Sequence, residues 1–273
     1  IQYQMFCGIF LGPEKLPDSK IVSRIRTELS SKLQISSTQQ ILAKAWKPHI
    51  QQPNVVLEDA TCYESYIRYP TNVKLLWECV DWMHGQMKLT CKYLKIPTPR
   101  TKYLEQKEKY FVYTRMRKKP WKETTRRIRS LLYLLNKLIE QQEKIEDQNR
   151  IWIKFPEKYY IRKRVIHKVL SQQEQIFNTD KSVPDRIVSI AKSYVRPIVR
   201  GKEVKSVEFG AKVNMIQVDG INFIEHLSFK PFNEGTRLIN SIWYSRTLFG
   251  KITHISADDI YATNANRKYC SSQ

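Results

Sequence analysis

The feature that most limits how this chain can fold is an interruption. The apolar run Val55-Val56-Leu57 ends on Glu58-Asp59-Ala60-Thr61 and reads as a short buried strand that delivers a carboxylate at its carboxyl end. Strand-like sequence returns only after Pro184, and the residues between carry helical periodicity. Any sheet must therefore be assembled from two parts of the chain separated by a long helical excursion.

The excursion has its own order. From Val73 to Met87, Leu76, Val80, Met83 and Met87 form one stripe, and Pro97 and Pro99 mark a break. A helix opening near Lys122 buries Ile128, Leu131, Leu135, Leu138 and Ile139, and a further basic helix turns Ile161, Val165, Ile166, Val169 and Leu170 inward. Before the first strand, Lys20 to Leu33 and Thr38 to Trp46 read as two helices, with Ile21, Val22, Ile25, Leu29 and Leu33 on the face of the first. After Pro184, Val207 to Val218 and Ile221 to Phe229 are strand-like runs joined by Asp219-Gly220, a strong hairpin signal. A helix around Thr236 to Ser245 and a strand from Lys251 to Ala257, ending in Asp258-Asp259, complete the order.

Charge narrows the function. The 273 residues hold 47 Lys and Arg against 26 Asp and Glu, a net +21. Such an excess disfavours an ordinary neutral enzyme and points to a polyanion, most commonly nucleic acid, against the plainer reading of a generically basic protein. Residues 95–130 alone hold thirteen basic and three acidic side chains, about half of the excess. A hydrophobic content of 41% excludes a disordered basic tail. The five cysteines form no CxxC pair, so neither a zinc ribbon nor a disulfide scaffold is expected, and a reducing, cytoplasmic setting is. The longest apolar stretch, 130–139, is far shorter than the roughly 20 residues of a membrane span, so no membrane partner is expected.

Within the helix near Lys122, Arg126, Arg127 and Arg129 crowd the start and Glu140, Glu143, Glu146 and Asp147 the end, both against the helix dipole. One reading is that the basic end faces an external anion such as a nucleic-acid backbone. The other is a solvated face with charges paired inside the protein.

Asp59 and Asp258 each end a strand. A sheet that sets the two strands side by side would bring both carboxylates to one edge, the kind of cluster that holds hard divalent cations for phosphoryl chemistry. The spacing is equally compatible with Asp59 capping a turn and with Asp258 or Asp259 capping a helix. His254 shares a strand face with Ser256 and Asp258 and could border such a site, though a structural role is the more economical reading. Cys62 has no evident partner base and reads as packing, and no GxGxxG, Walker-type or GxSxG motif is present.

Several segments together resemble one family. Asp59-Ala60-Thr61, Tyr69-Pro70-Thr71, Lys74-Leu75-Leu76-Trp77-Glu78-Cys79, Arg196-Pro197-Ile198-Val199-Arg200-Gly201-Lys202, Glu208-Phe209-Gly210-Ala211-Lys212 and Ala257-Asp258-Asp259-Ile260-Tyr261-Ala262 occur in the order of bacterial insertion-sequence DDE transposases. Phe6-Cys7-Gly8 and Ser23-Arg24-Ile25-Arg26 are similar to that family's amino-terminal helical domain. The resemblance implies an α+β or α/β fold: a ribonuclease-H-like mixed sheet in residues 53–66 and 190–273, interrupted by a basic helical insertion at 67–189 and preceded by a small helical domain at 1–52. It further implies Asp59 and Asp258 as catalytic ligands of Mg2+ (or Mn2+), with Asp258 and Tyr261 in an Asp-x-x-Tyr pattern. The implied partner is double-stranded DNA, at transposon ends and target, gripped by the insertion through Arg115, Arg117, Lys118, Lys119, Arg126 and Arg127. Near the hairpin, Arg196, Arg200, Lys202 and Lys212 are further candidates for phosphate contact, and a homodimer is an assembly the sequence leaves open. The family's glutamate lies well after the second aspartate, and no residue here takes that role. The expectation is a truncated transposase, with a catalytically inactive DNA-binding remnant as the alternative. A basic RNA-binding protein is a third reading, against which no RNP-type or GxxG signature is visible.

Overall fold

The computed structural model describes residues 20–199 and 207–272. Among these the protein is mixed α/β: eight α-helices and a five-stranded mixed sheet. In chain order the elements are α1 (Ile21–Lys32), α2 (Ile35–Trp46), β1 (Val55–Glu64), α3 (Asn72–Leu94), α4 (Tyr103–Arg115), α5 (Trp121–Gln148), α6 (Glu157–Thr179), β2 (Arg196–Val199), β3 (Val207–Val218), β4 (Ile221–Ser228), α7 (Leu238–Phe249), β5 (His254–Ala257) and α8 (Asn264–Ser271). The strand order is β2-β3-β1-β5, with β4 also paired to β3. β1 and β5 run parallel, β2 and β3 antiparallel. Pro197 in β2 lacks an N–H, which suits a strand with one partner.

The chain divides into two compact units. The first comprises Ile1–Glu58, Met215–Glu225 and Leu238–Gln273. Its core is Ala43, Ile50, Val56, Ile216, Val218, Phe223, Leu248 and Phe249, with Leu238, Ile242 and Tyr261 in a second cluster. Phe223 meets Trp46 and Phe249 edge to face, at centroid separations of 6.3 and 5.2 Å. Asp219 and Gly220 both have positive φ, 49° and 81°, as the two-residue hairpin turn requires, and Asp219 Oδ2 accepts from the Gln51 N–H. Gln39 of α2 donates through Nε2 to the Ile224 carbonyl at 2.9 Å and accepts from the Ile224 N–H. The expected stripe on α1 is present in sequence but buries nothing; Val22, Ile25, Leu29 and Leu33 are each about half exposed.

The second unit comprises Asp59–Asn214 and His226–Arg237. Its core joins α3, α4, α5 and α6, and the expected residues Leu76, Val80, Met83 and Met87 are fully buried, as are Leu135 and Leu138. Ile161 is the exception: it stands 44% exposed, while Ile166 and Val169 one and two turns on carry that helix's contact. Gln172 of α6 accepts from the Ile187 N–H at 3.0 Å and fastens the segment that leaves the helices.

The first strand differs from its sequence reading. β1 runs ten residues, so Asp59 sits mid-strand, not at an end, and no turn follows for it to cap. The extension is held by β3, where the Ser65 N–H donates to the Phe209 carbonyl at 2.7 Å. Gly210 makes the approach possible, because a Cβ there would fall on the Tyr63 carbonyl.

Candidate functional site

Side chains on a strand alternate between faces, and this separates the two adjacent carboxylates of β1. Val56, Glu58 and Ala60 point into the protein, at 0, 3 and 2% exposure, whereas Leu57 and Asp59 face solvent. Glu58 accepts from Ser241 Oγ of α7, so it is part of the packing between strand and helix. Asp59 is the one of the two that stays exposed.

On β5 the register pairs Val55 with His254, Leu57 with Ser256 and Glu58 with Ala257. Asp59 and Asp258 are each the residue that follows the paired stretch in its own strand. Asp258 precedes a short turn, Asp259–Tyr261, and its side chain makes no capping hydrogen bond there. The capping alternative is therefore not used, and the turn is closed by the Tyr261 N–H donating to the Asp258 carbonyl at 2.9 Å.

That turn swings Tyr261 into the core at 2% exposure. Asn266, at the start of α8, donates to the Tyr261 carbonyl at 2.7 Å, and Thr263 caps α8 by accepting from the Asn266 N–H. The tyrosine of the Asp-x-x-Tyr pattern is thus an anchor that fixes where Asp258 stands. Asp258 lines an open cavity of about 200 Å3 with Leu238, Ile255, Tyr261, Asn266, Arg267 and Cys270. Arg267 is brought to the same cavity by α8, a helix whose only buried residue is Asn266. His254 is exposed, with Nδ1 at 2.9 Å from Thr253 Oγ1, beside the strand pairing.

Among the described residues, no three or more His, Cys, Asp or Glu side chains form a group that could hold a metal ion. Upstream of Asp258, Glu234 pairs with Lys212 at 2.7 Å, and Glu208 is buried in β3.

The basic residues separate into two sets. Arg115, Arg117, Lys118, Lys119 and Arg126 are exposed at the elbow between α4 and α5, beside the exposed Trp121. Lys119 donates to the Met116 carbonyl at 2.9 Å and lies over the Tyr113 ring, and Arg126 has a loose 3.4 Å contact with Glu123. Arg127 is different from its neighbours. It is 5% exposed, pairs with Glu123 at 2.9 Å and donates to Gln106 Oε1, so its guanidinium is engaged within the protein. Arg196 and Lys212 are likewise engaged within the protein. Arg196 donates to the Ser193 and Val195 carbonyls, and Lys212 is enclosed by Glu234, the Phe232 carbonyl and the Phe232 ring. Arg200 and Lys202 lie outside the described residues.

The acidic end of α5 is likewise resolved by internal pairing. Lys163 of α6 sits 2.8 Å from Glu146 and 3.3 Å from Glu143, His167 is 3.2 Å from Glu143, and the Tyr159 hydroxyl donates to Glu146. Burial and this carboxylate push the Tyr159 phenol well above its ordinary range.

A cavity of about 350 Å3 opens where β1 gives way to α3, lined by Tyr66, Arg68, Tyr69, Lys74, Glu78 and Lys192 among others. Burial raises the Glu78 pKa above its ordinary value, while Arg68 and Lys74 pull it down by less.

Comparison with known proteins finds no match to the chain among family models, curated proteins or solved structures. No helix among the described residues is long and apolar enough to cross a membrane.

Proposed function

We propose that the chain is a DDE-type DNA transposase of ribonuclease-H-like architecture, which cleaves and joins DNA strands at transposon ends in a metal-dependent reaction. The observation that carries the reading is the register of the parallel pair, in which Asp59 and Asp258 each follow the last paired residue of β1 and β5. Both are exposed carboxylates, hard oxygen donors of the kind Mg2+ prefers, and a Mg2+ ion that keeps several waters needs few protein ligands. Asp59 and Asp258 would hold the ion, which when bound would activate a water or a 3′-hydroxyl and stabilise the leaving oxygen. Tyr261 and Asn266 keep Asp258 in position, and Glu58 with Ser241 fixes β1 beneath Asp59. The exposed elbow cations Arg115, Arg117, Lys118, Lys119 and Arg126 would bind duplex phosphates without reading sequence.

The second reading, a DNA-binding remnant without activity, is favoured by the lack of a third carboxylate in any metal-capable group among the described residues. A Mg2+-dependent nicking assay on DNA carrying the element's ends separates the two. Cleavage that disappears in Asp59→Asn and in Asp258→Asn supports the enzyme; DNA binding without cleavage by the unaltered chain supports the remnant.

A further inference from the structure

Between α4 and α5, within the helical unit, lies a cavity of about 370 Å3 lined by Lys102, Gln106, Arg129, Ser130, Tyr133, Leu134 and Lys137. Its size falls in the range of pockets that hold small organic ligands, roughly 300–1,000 Å3. The α5 residues recur at positions 129, 130, 133, 134 and 137, the three-to-four spacing that puts them on one stripe. Leu134 is buried at 3% and forms an apolar floor, while Tyr133 stands exposed at the mouth.

The charge is one-sided. Three cations line the cavity and no carboxylate does. Among the described residues none of Lys102, Arg129 and Lys137 forms an ion pair within 4.0 Å, in contrast to Arg127 close by in the same helix. Arg129 is held with its guanidinium 5.6 Å from the centre of the Phe177 ring, which restricts its motion before any ligand arrives. Gln106, 7% exposed, has its Oε1 occupied by Arg127, leaving Nε2 as the end that can donate.

We propose that this cavity is a binding site for an organic phosphate, with the phosphate held by Lys102, Arg129 and Lys137 and a planar or apolar body lying on Tyr133 and Leu134. A nucleotide unit has this chemistry, whether it is a free nucleoside phosphate or a residue of a nucleic-acid strand. The site is distinct from the exposed elbow and from Asp59 and Asp258, and it does not depend on the transposase reading.

The test is calorimetric titration of the full chain with AMP, with inorganic phosphate and with a short single-stranded oligodeoxynucleotide. The unaltered protein is compared with Lys102→Ala/Lys137→Ala and with Lys154→Ala/Lys158→Ala, a control that removes the same charge from exposed positions elsewhere. The expected result is one-to-one binding of AMP or the oligonucleotide, weakened about tenfold or more in the first variant and little in the control. AMP binding marks a free nucleotide as the ligand, and oligonucleotide binding without AMP binding marks a strand. Ser130→Glu, which adds a carboxylate to the cavity, should abolish binding while leaving the thermal unfolding midpoint close to that of the parent. If neither AMP nor the oligonucleotide binds, even where inorganic phosphate does, or if both double variants behave alike, the proposal is wrong. Loss of DNA binding on neutralising the elbow, with AMP affinity intact, would touch only the elbow.

Discussion

Arg126 and Arg127 are adjacent in sequence and belong to different regions of the molecule. Arg126 stands in solvent with the elbow cations, whereas Arg127 is packed between Glu123 and Gln106. The contrast recurs between the elbow as a whole and the segment around β3, where Lys212 is shut in by Glu234 and Phe232. A net charge of +21 is therefore not one quantity. Part of it is consumed in holding elements together, and the part without carboxylate partners is what a polyanion would meet. Burial and a partner within about 3 Å decide which part a residue joins, and neither can be read from composition.

The largest expected effect breaks the comparison on the elbow side. Replacing Arg115, Arg117, Lys118 and Lys119 with Ser should lower duplex affinity on the order of a thousandfold at 0.1 M salt and reduce the log–log salt slope by about 3 to 4, since each phosphate contact contributes about 0.9 to that slope. Unfolding free energy should change by no more than about 0.5 kcal/mol per position. Salt-dependent fluorescence anisotropy and urea unfolding read the two quantities, and an unchanged slope would remove the elbow from the DNA-binding surface.

Arg127→Ala should do the reverse. It leaves Gln106 Oε1 without its donor and Glu123 with only the loose Arg126 contact, and should cost about 2–3 kcal/mol in urea unfolding, with DNA affinity per folded molecule unaltered. Lys212→Ala is the milder case, at about 1–2 kcal/mol, because Glu234 retains some access to water. If either variant instead weakened DNA binding without loss of stability, the division into two sets would fail.

The smallest effect extends the contrast to an acid. Burial outweighs the nearby Arg68 and Lys74 and raises Glu78 from its ordinary 4.5. A carboxyl whose pKa is higher in the folded than in the unfolded state binds its proton more tightly when folded. Its charged form thus detracts from stability above the raised pKa, and stability is regained as pH falls through that value towards 4.5. Glu78→Gln should slightly stabilise the protein at pH 7 and flatten the pH profile of its unfolding midpoint in that window, as thermal scans across pH would measure.

Much of the scaffold was legible because it follows period and turn chemistry. Asp219-Gly220 announced the hairpin, and the aliphatic stripes of α3 and α5 announced buried helices. α4 was hidden because its inward face is Tyr103, Gln106, Tyr110 and Tyr113, which carry no aliphatic period, amid a run of lysines and arginines. α8 was hidden for a similar reason, since its one buried residue is Asn266. The full length of β1 depends on pairing with β3, a long-range partner that no local pattern specifies. For the candidate site, Asp258 stands just past the end of its strand as its sequence suggests, whereas Asp59 lies within a strand longer than its apolar run. That Glu58 turns inward while Asp59 turns outward required the pleat, and the fates of Arg127, Arg196 and Lys212 required their neighbours in space.

The bonds between Gln39 and Ile224 have a consequence for how the chain behaves in a crowd. A side-chain amide satisfies the backbone donor and acceptor that an incoming strand would otherwise seek, so α2 acts as a stopper on β4. Edge strands left open invite pairing between molecules. At that one residue of β4 the glutamine amide imitates a peptide group and occupies both backbone positions.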